Sequence, residues 1–307
     1  MLALILILLA GAFAWTSYEV SVLEARYPPN GTFVGPEGER THFVEVSSNG
    51  AVDSTTILFI HGASGNLNDQ MAAFASVMKD QARLIFVDRP GHGYSDRAGA
   101  ETPAQQAQRY KFLLDQLGVN RVVVVGHSLG AASAAAFAVL YPEQTKGLVL
   151  LSPATHPWPT GVTWYYHLAA MPVIGNLFSE TMVLPIGMLR LSSGAESVFA
   201  PQHMPQEYVE NTRIALMLRP WIFRANARDV AGLNEFVQEF SPRYKEINAP
   251  TIIVTGDKDD IVSPSIHSLG LERDIKGSEL IILQGVGHKP EYVANDIVVD
   301  AIQRVSK

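Results

Sequence analysis

The chain has 307 residues, 47% of them apolar and 17% charged, which suits one large domain with an insertion or two modest domains. Its net charge of −7 argues against a nucleic-acid partner, which asks for a basic face. With no cysteine, disulfides, thiolate catalysis and cysteine-ligated zinc are excluded.

Residues 1–18 carry no charge at all. The apolar run ends in small residues, and Ala12-Phe13-Ala14 resembles an export-signal cleavage site. Its length is also close to the roughly 20 residues a membrane-crossing helix needs. The segment is expected to send the protein out of the cytoplasm (periplasmic or secreted) or to anchor it to a membrane through residues 1–18.

After Tyr27-Pro28-Pro29, short β-rich runs recur: THFVEV (41–46), TTILFI (55–60), RLIFVD (83–88), VVVV (122–125), LVLL (148–151), TIIV (251–254) and LIIL (280–283). Most are apolar throughout, the pattern of parallel strands covered on both faces. Helical patterns lie between them at 69–80, 103–117, 129–141 and 290–305. This alternation predicts an α/β fold: a mostly parallel twisted sheet with right-handed crossovers and helices on both faces. Residues 153–244 break the rhythm. They show no strand and are rich in Pro, Trp, Tyr and Met, which reads as a helical cap inserted between two core strands. The core is then 27–152 together with 245–307.

The chemistry is concentrated in Gly126-His127-Ser128-Leu129-Gly130, a G-x-S-x-G pattern between a strand and a helix. A sharp strand-to-helix turn exposes the serine, and crowding at its flanks requires glycine. The start of the helix brings backbone N–H groups and the positive end of the helix dipole near a developing anion. A serine needs a base. Of the nine histidines, His127 adjoins the serine and cannot easily turn back onto it; His61 and His92 lie in glycine loops; His42 precedes the core; His156, His167 and His203 lie in the cap; His267 lies in a helix pattern. His288 directly follows the last strand, at the carboxyl edge where Ser128 sits and where open α/β sheets place their sites. The preceding strand runs into TGDKDD, offering Asp257, Asp259 and Asp260 as the acid that orients the base. The loop His61–Gly65 exposes backbone after an early strand, and the N–H groups of Ala63 and Leu129 are the candidate oxyanion donors.

HGASG, VDRPGHGYSD, GHSLG, GDKDDIV and GVGHKP occur in this order, and from about Tyr27 onward the chain resembles the α/β-hydrolase superfamily, in particular its lidded serine-esterase branch. The resemblance implies Ser128 as nucleophile, His288 as base, Asp259 as acid, and Ala63 and Leu129 as the oxyanion hole. Turn geometry points the same way: Asp257 directly follows Gly256 and is expected to bond the amides of its own turn. Asp260 is expected to face solvent. DRPGHGYS (88–95) resembles a structural turn of the family.

Relatives that act on haloalkanes or epoxides carry an aspartate nucleophile, so the serine disfavours both reactions. Hydrolysis of a carboxylic ester with a hydrophobic acyl or aryl group makes the fewest further demands. The alternatives are C–C bond hydrolysis, acyl transfer and cofactor-free perhydrolysis, or a binding protein without catalysis. Trp158, Trp164, Met171 and Phe178 of the cap are the candidate substrate contacts. No motif calls for a metal or cofactor, and the expected partner is a small ester.

Overall fold

Alternate residues along the central strands pack into two separate apolar cores. Leu58, Ile60, Val122, Val124, Leu148 and Leu150 face one helical layer, while Ile57, Phe59, Val123, Val125, Val149 and Leu151 face the other. Burial on both faces is why these runs are apolar at every position. The computed structural model describes residues 1–47, 55–99 and 101–307.

The eight strands are β1 (Thr32–Val34), β2 (Thr41–Val46), β3 (Thr56–Ile60), β4 (Arg83–Val87), β5 (Val122–His127), β6 (Thr145–Leu151), β7 (Thr251–Gly256) and β8 (Glu279–Leu283). They form one sheet in the order β1-β2-β4-β3-β5-β6-β7-β8. β2 runs antiparallel to both β1 and β4, and every later pairing is parallel. The register pairs Ile60 with Gly126, His127 with Leu151, and Gly256 with Leu283, so these strands release their loops at one edge. After β3 the chain moves to one side, to β4; after β5 it moves to the other, to β6. Neighbouring loops therefore diverge between β3 and β5, which opens a crevice at that point.

The helices are α1 (Leu2–Arg26), α2 (Leu67–Met78), α3 (Pro103–Gln116), α4 (Leu129–Leu140), α5 (Trp164–Ala170), α6 (Ile174–Phe178), α7 (Leu184–Phe199), α8 (Tyr208–Asn211), α9 (Pro220–Phe240), α10 (Ser268–Asp274), α11 (Pro290–Val293) and α12 (Asn295–Val305). A π turn at Ser179–Val183 joins α6 to α7. Thr102 and Gln105 form a reciprocal capping box that starts α3, with Pro103 in its first turn.

Three features differ from the pattern of the sequence. β1 is only three residues long between Gly31 and Gly35, too short for a periodicity to show. The helix expected over 290–305 is broken at Ala294, whose backbone leaves the helical region (φ −133°, ψ 50°). Finally, the helix that starts in the apolar N-terminal run continues past residue 18 to Arg26; Thr16 is buried, and Val20 and Leu23 are buried in a cluster with the cap. Tyr27 follows and donates to Glu210 at 2.7 Å, while Glu24 pairs with Arg219 at 2.8 Å.

Candidate active site

Ser128 joins β5 to α4 with φ 53° and ψ −121°, a positive-φ conformation that costs a non-glycine residue on the order of 1–3 kcal/mol. The surroundings hold it there. Its N–H donates to Leu151 O at 2.9 Å, and its carbonyl accepts from Ala131 N at 3.0 Å and Ala154 N at 3.1 Å. The flanking glycines have a steric reason. A Cβ at Gly126 would stand 2.7 Å from the Gly130 carbonyl oxygen, and one at Gly130 would run into the carbonyls of Ile60 and His61.

The loop after β3 crosses directly over this turn; a Cβ at position 62 would lie 3.1 Å from the Ser128 Cβ. The Gly62 carbonyl is held by Arg89 Nη1 at 2.9 Å and lies 2.8 Å from His61 Nδ1. In a trans peptide the C=O and the following N–H point in opposite directions. Fixing the Gly62 oxygen on the Arg89 side therefore turns the Ala63 N–H to the other side. Among the described residues, the N–H groups of Ala63 and Leu129 donate to no protein acceptor. The next residue, Ser64, also has positive φ (56°), and its N–H donates to Asn226 Oδ1 of α9 at 2.7 Å.

Arg89 is fully buried and pairs with Asp229, also of α9. Asp229 in turn holds Arg97 at 2.8 Å. The loop after β3 is thus tied to the cap by Arg89–Asp229 and Ser64–Asn226. Neither Asn226 nor Asp229 was predicted from the sequence. The available signal was Asn226 and Asp229, two polar residues three apart on a helix that is otherwise apolar on that side. The DRPGHGYS turn is scaffold. Asp88 accepts from Leu67 N at 2.8 Å and Tyr94 N at 2.9 Å, and meets His42 Nδ1 at 2.7 Å. His92 lies 3.4 Å from Asn226 Oδ1 within the same framework.

In the loop after β8, His288 Nδ1 lies 2.7 Å from Asp259 Oδ2. The remaining oxygen of Asp259 accepts from Ile261 N at 3.0 Å and Val262 N at 2.9 Å. Burial pushes the Asp259 carboxyl up. The hydrogen bond and charge of His288 and the two amides outweigh this and hold it below the usual carboxylate range. Contrary to the expectation from turn geometry, Asp259 and not Asp257 bonds the amides of its own turn, and it does so with the oxygen that His288 leaves free. Asp257 instead reaches the next loop, accepting from Gly285 N at 2.6 Å. Asp260 is exposed. His127 does not turn toward Ser128; its Nε2 lies 3.0 Å from the His288 carbonyl and its ring packs 4.9 Å from that of His288.

Behind His288 lies a buried charge cluster that the sequence did not announce. Lys289 Nζ sits 2.7 Å from Asp69 and 3.4 Å from Glu291, and Tyr208 of the cap donates to Asp69 at 2.9 Å. Burial works against the Lys289 cation, but Asp69, Tyr208 and Glu291 hold its pKa up. Asp69, His127 and Glu291 bring possible metal-ligand atoms within 4.8 Å of one another, and the Lys289 ammonium already supplies a cation there. Gln202 of the cap clamps the same loop, accepting from Gly287 N at 3.0 Å and donating to Gly285 O at 2.6 Å.

Apolar side chains fill the space around the serine. Leu129, Ala132, Ala154, Leu233, Val237 and Val262 form a buried cluster, with Ala63 and Trp158 packed against it. The other cap candidates lie elsewhere. Trp164 is 68% exposed and Met171 is 47% exposed, while Phe178 packs in the separate cluster shared by the cap and α1. Only Trp158 of the four joins the cluster that contains Leu129, because α5 and α6, which carry or adjoin the other three, pack on α9.

Residues 55–173 match a family model described as alpha/beta hydrolase fold. The chain has the α/β-hydrolase fold. Curated relatives include 2-hydroxy-6-oxononadienedioate/2-hydroxy-6-oxononatrienedioate hydrolases. The one from Klebsiella pneumoniae subsp. pneumoniae is 29% identical, over 83% of this chain and 88% of the relative. The one from Escherichia coli (strain K12) is 28% identical, over 87% and 93%. Among solved structures, the enol-lactonase from Burkholderia xenovorans LB400 superposes with a TM-score of 0.72 at 17% identity, covering 90% of this chain and all of that chain.

Proposed function

We propose that this α/β hydrolase cleaves carboxylic esters bearing a hydrophobic acyl or aryl group, through an acyl-enzyme on Ser128. The observation that carries the reading is the strained serine beside an apolar cluster, with the His288–Asp259 pair on loops that leave the same sheet edge. His288 takes the Ser128 proton as the hydroxyl oxygen attacks the ester carbonyl. The negative charge that develops on the carbonyl oxygen is met by the N–H groups of Ala63 and Leu129 and by the start of α4. His288 then gives its proton to the departing alcohol. Water repeats the sequence on the acyl-enzyme and releases the acid, while Asp259 keeps His288 in one tautomer and balances its charge.

C–C bond hydrolysis is the second reading, favoured by the names of the curated relatives. Those names describe dioates, substrates with two carboxylates. A dianion asks for unpaired cations beside the reacting carbon. Here the buried cations Lys289 and Arg89 already have acidic partners, and the cluster at the serine is apolar. This supports the ester over the dioate.

The test is hydrolysis of p-nitrophenyl esters from acetate to octanoate, run beside a dienedioate C–C substrate, on wild type and Ser128→Ala. The proposal expects ester turnover that Ser128→Ala abolishes. Higher kcat/KM on the dioate than on any ester would assign the second reading.

A further inference from the structure

Between Trp164 and Leu189 the only carboxylate or cationic side chain is Glu180, yet the outer face of this stretch is in the open. Trp164 is 68% exposed, Val173 78%, Ile174 58%, Leu177 52%, Ile186 47% and Leu189 86%. α5 and the continuous helix Ile174–Phe199 meet at a bend of 113°, which places these residues on two apolar arms. Contiguous apolar surface of this kind marks a surface that something covers.

The structure identifies what lies beside it. The inner side of the same helices packs on α1, with Val20 and Leu23 against Ala169, Val183 and Leu184. Residues Leu6–Arg26 of α1 are long and apolar enough to cross a membrane. Leu6, Ile7 and Leu8 are 57–68% exposed. The apolar surface of the cap therefore continues that of a helix with membrane-crossing composition.

Charge at the rim fits the same partner. Arg190 and Arg228 make no ion pair among the described residues, and Arg224 donates only to Asn176 and to the carbonyls of Met171 and Pro172. Arg224 and Arg228 line, with Trp221 and Glu24, a cavity of about 540 Å³ beside the last turn of α1. Tryptophan and arginine at the end of an apolar helix are the residues of the headgroup level.

We infer that α1 and the outer face of α5–α7 form one surface that sits in an anionic phospholipid bilayer, with Arg190, Arg224 and Arg228 at the headgroups. The cap is then a membrane-seated element, and α1 is its neighbour in the lipid. The inference is independent of which bond the enzyme cleaves.

The chain has no cysteine, so single Leu177→Cys, Leu189→Cys, Leu8→Cys and Glu143→Cys variants of the full chain can each carry one environment-sensitive fluorophore. They are mixed with vesicles of phosphatidylcholine and phosphatidylglycerol, and emission is read with lipid-borne nitroxide and with aqueous iodide. The expected result is a blue shift and loss of emission to the nitroxide at 8, 177 and 189, with 143 quenched by iodide alone. If 8 responds to the lipid while 177 and 189 behave like 143, only α1 is seated and the inference is overturned. Shielding of 177 and 189 from iodide without quenching by lipid would mean a second protein copy covers the face, which overturns it equally. Failure of all four labels to sense the lipid removes the membrane altogether.

Discussion

Arg89 donates to the carbonyl of Gly62 at 2.9 Å from a fully buried position, and the same guanidinium pairs with Asp229 of the cap. The peptide plane that carries the Gly62 oxygen also carries the Ala63 N–H, so Arg89, itself held by Asp229 of the cap, sets the direction of the candidate oxyanion donor. Arg89 is a positioning residue in this scheme. Arg89→Met should lower kcat by about 10–100-fold with KM little changed, somewhat less than deletion of an oxyanion donor. It should also cost stability, on the order of 3–5 kcal/mol, because Asp229 loses a buried partner. The double variant Arg89→Met/Asp229→Met removes the unpaired charge, and Arg97 keeps Glu101 at 2.6 Å. Thermal unfolding should then recover toward wild type while kcat does not. Recovery of both together would reduce Arg89 to a purely structural role.

The three aspartates after β7 should separate cleanly. Asp259→Asn removes the acceptor for His288 and should lose roughly 10²–10⁴ in kcat. Asp260→Asn, exposed, should be near wild type. Asp257→Asn should alter melting temperature more than rate, since its carboxylate bonds only the Gly285 amide and the neighbouring Lys258. Steady-state kinetics and thermal melts on the three variants check this, and a crippled Asp257→Asn beside an active Asp259→Asn would reverse the assignment.

Stability should fall with acid well above the carboxylate range. Burial holds His61, His92 and His127 well below the ordinary histidine value of 6.5, and holds His267 at about 4. The unfolded chain takes up these protons near pH 6.5 and the native state does not, so stability is lost as pH falls from 6.5. Each such histidine contributes a slope of up to about 1.4 kcal/mol per pH unit, and His267 stops contributing below about pH 4. Asp259 acts lower. Its carboxyl is held below 3.8, so its contribution is present above that value and lost as pH falls through the lowered one. Urea midpoints from pH 8 to pH 4 measure the slope; a flat profile down to pH 5 would contradict the burial of these rings.

Substrate length should be read by the cluster at the serine. Burial of a methylene is worth about 0.8 kcal/mol, or up to roughly fourfold in kcat/KM for each carbon added until the space is filled. Trp158→Ala should change this profile, because Trp158 packs with Leu129, Leu233 and Val262. Trp164→Ala and Met171→Ala should not, since both side chains lie on the exposed outer face. The p-nitrophenyl ester series on the three variants distinguishes these expectations.

The sequence by itself determined the parts of this protein that rest on local physics. Strands buried on both faces must be apolar at every position, so 122–125, 148–151 and 251–254 declare themselves. A serine in a sharp strand-to-helix turn calls for glycine at its crowded flanks, so Gly126 and Gly130 mark Ser128 in the sequence, although the β3 carbonyls that press on Gly130 are visible only in the fold. The order of loops along one sheet edge then singles out His288 and the TGDKDD loop. Tertiary structure decided what depends on groups far apart in the chain. Asp229 lies 140 residues from Arg89, and Lys289 lies 220 from Asp69. Either partner alone reads as an ordinary surface charge, and only folding shows that each is buried and needs the other. The same limit applies to the cap. Its aromatic and apolar residues look alike in sequence, whether they pack at the serine, as Trp158 does, or face outward, as Trp164 does, because composition records how much apolar surface a segment carries and not which side of it the fold covers.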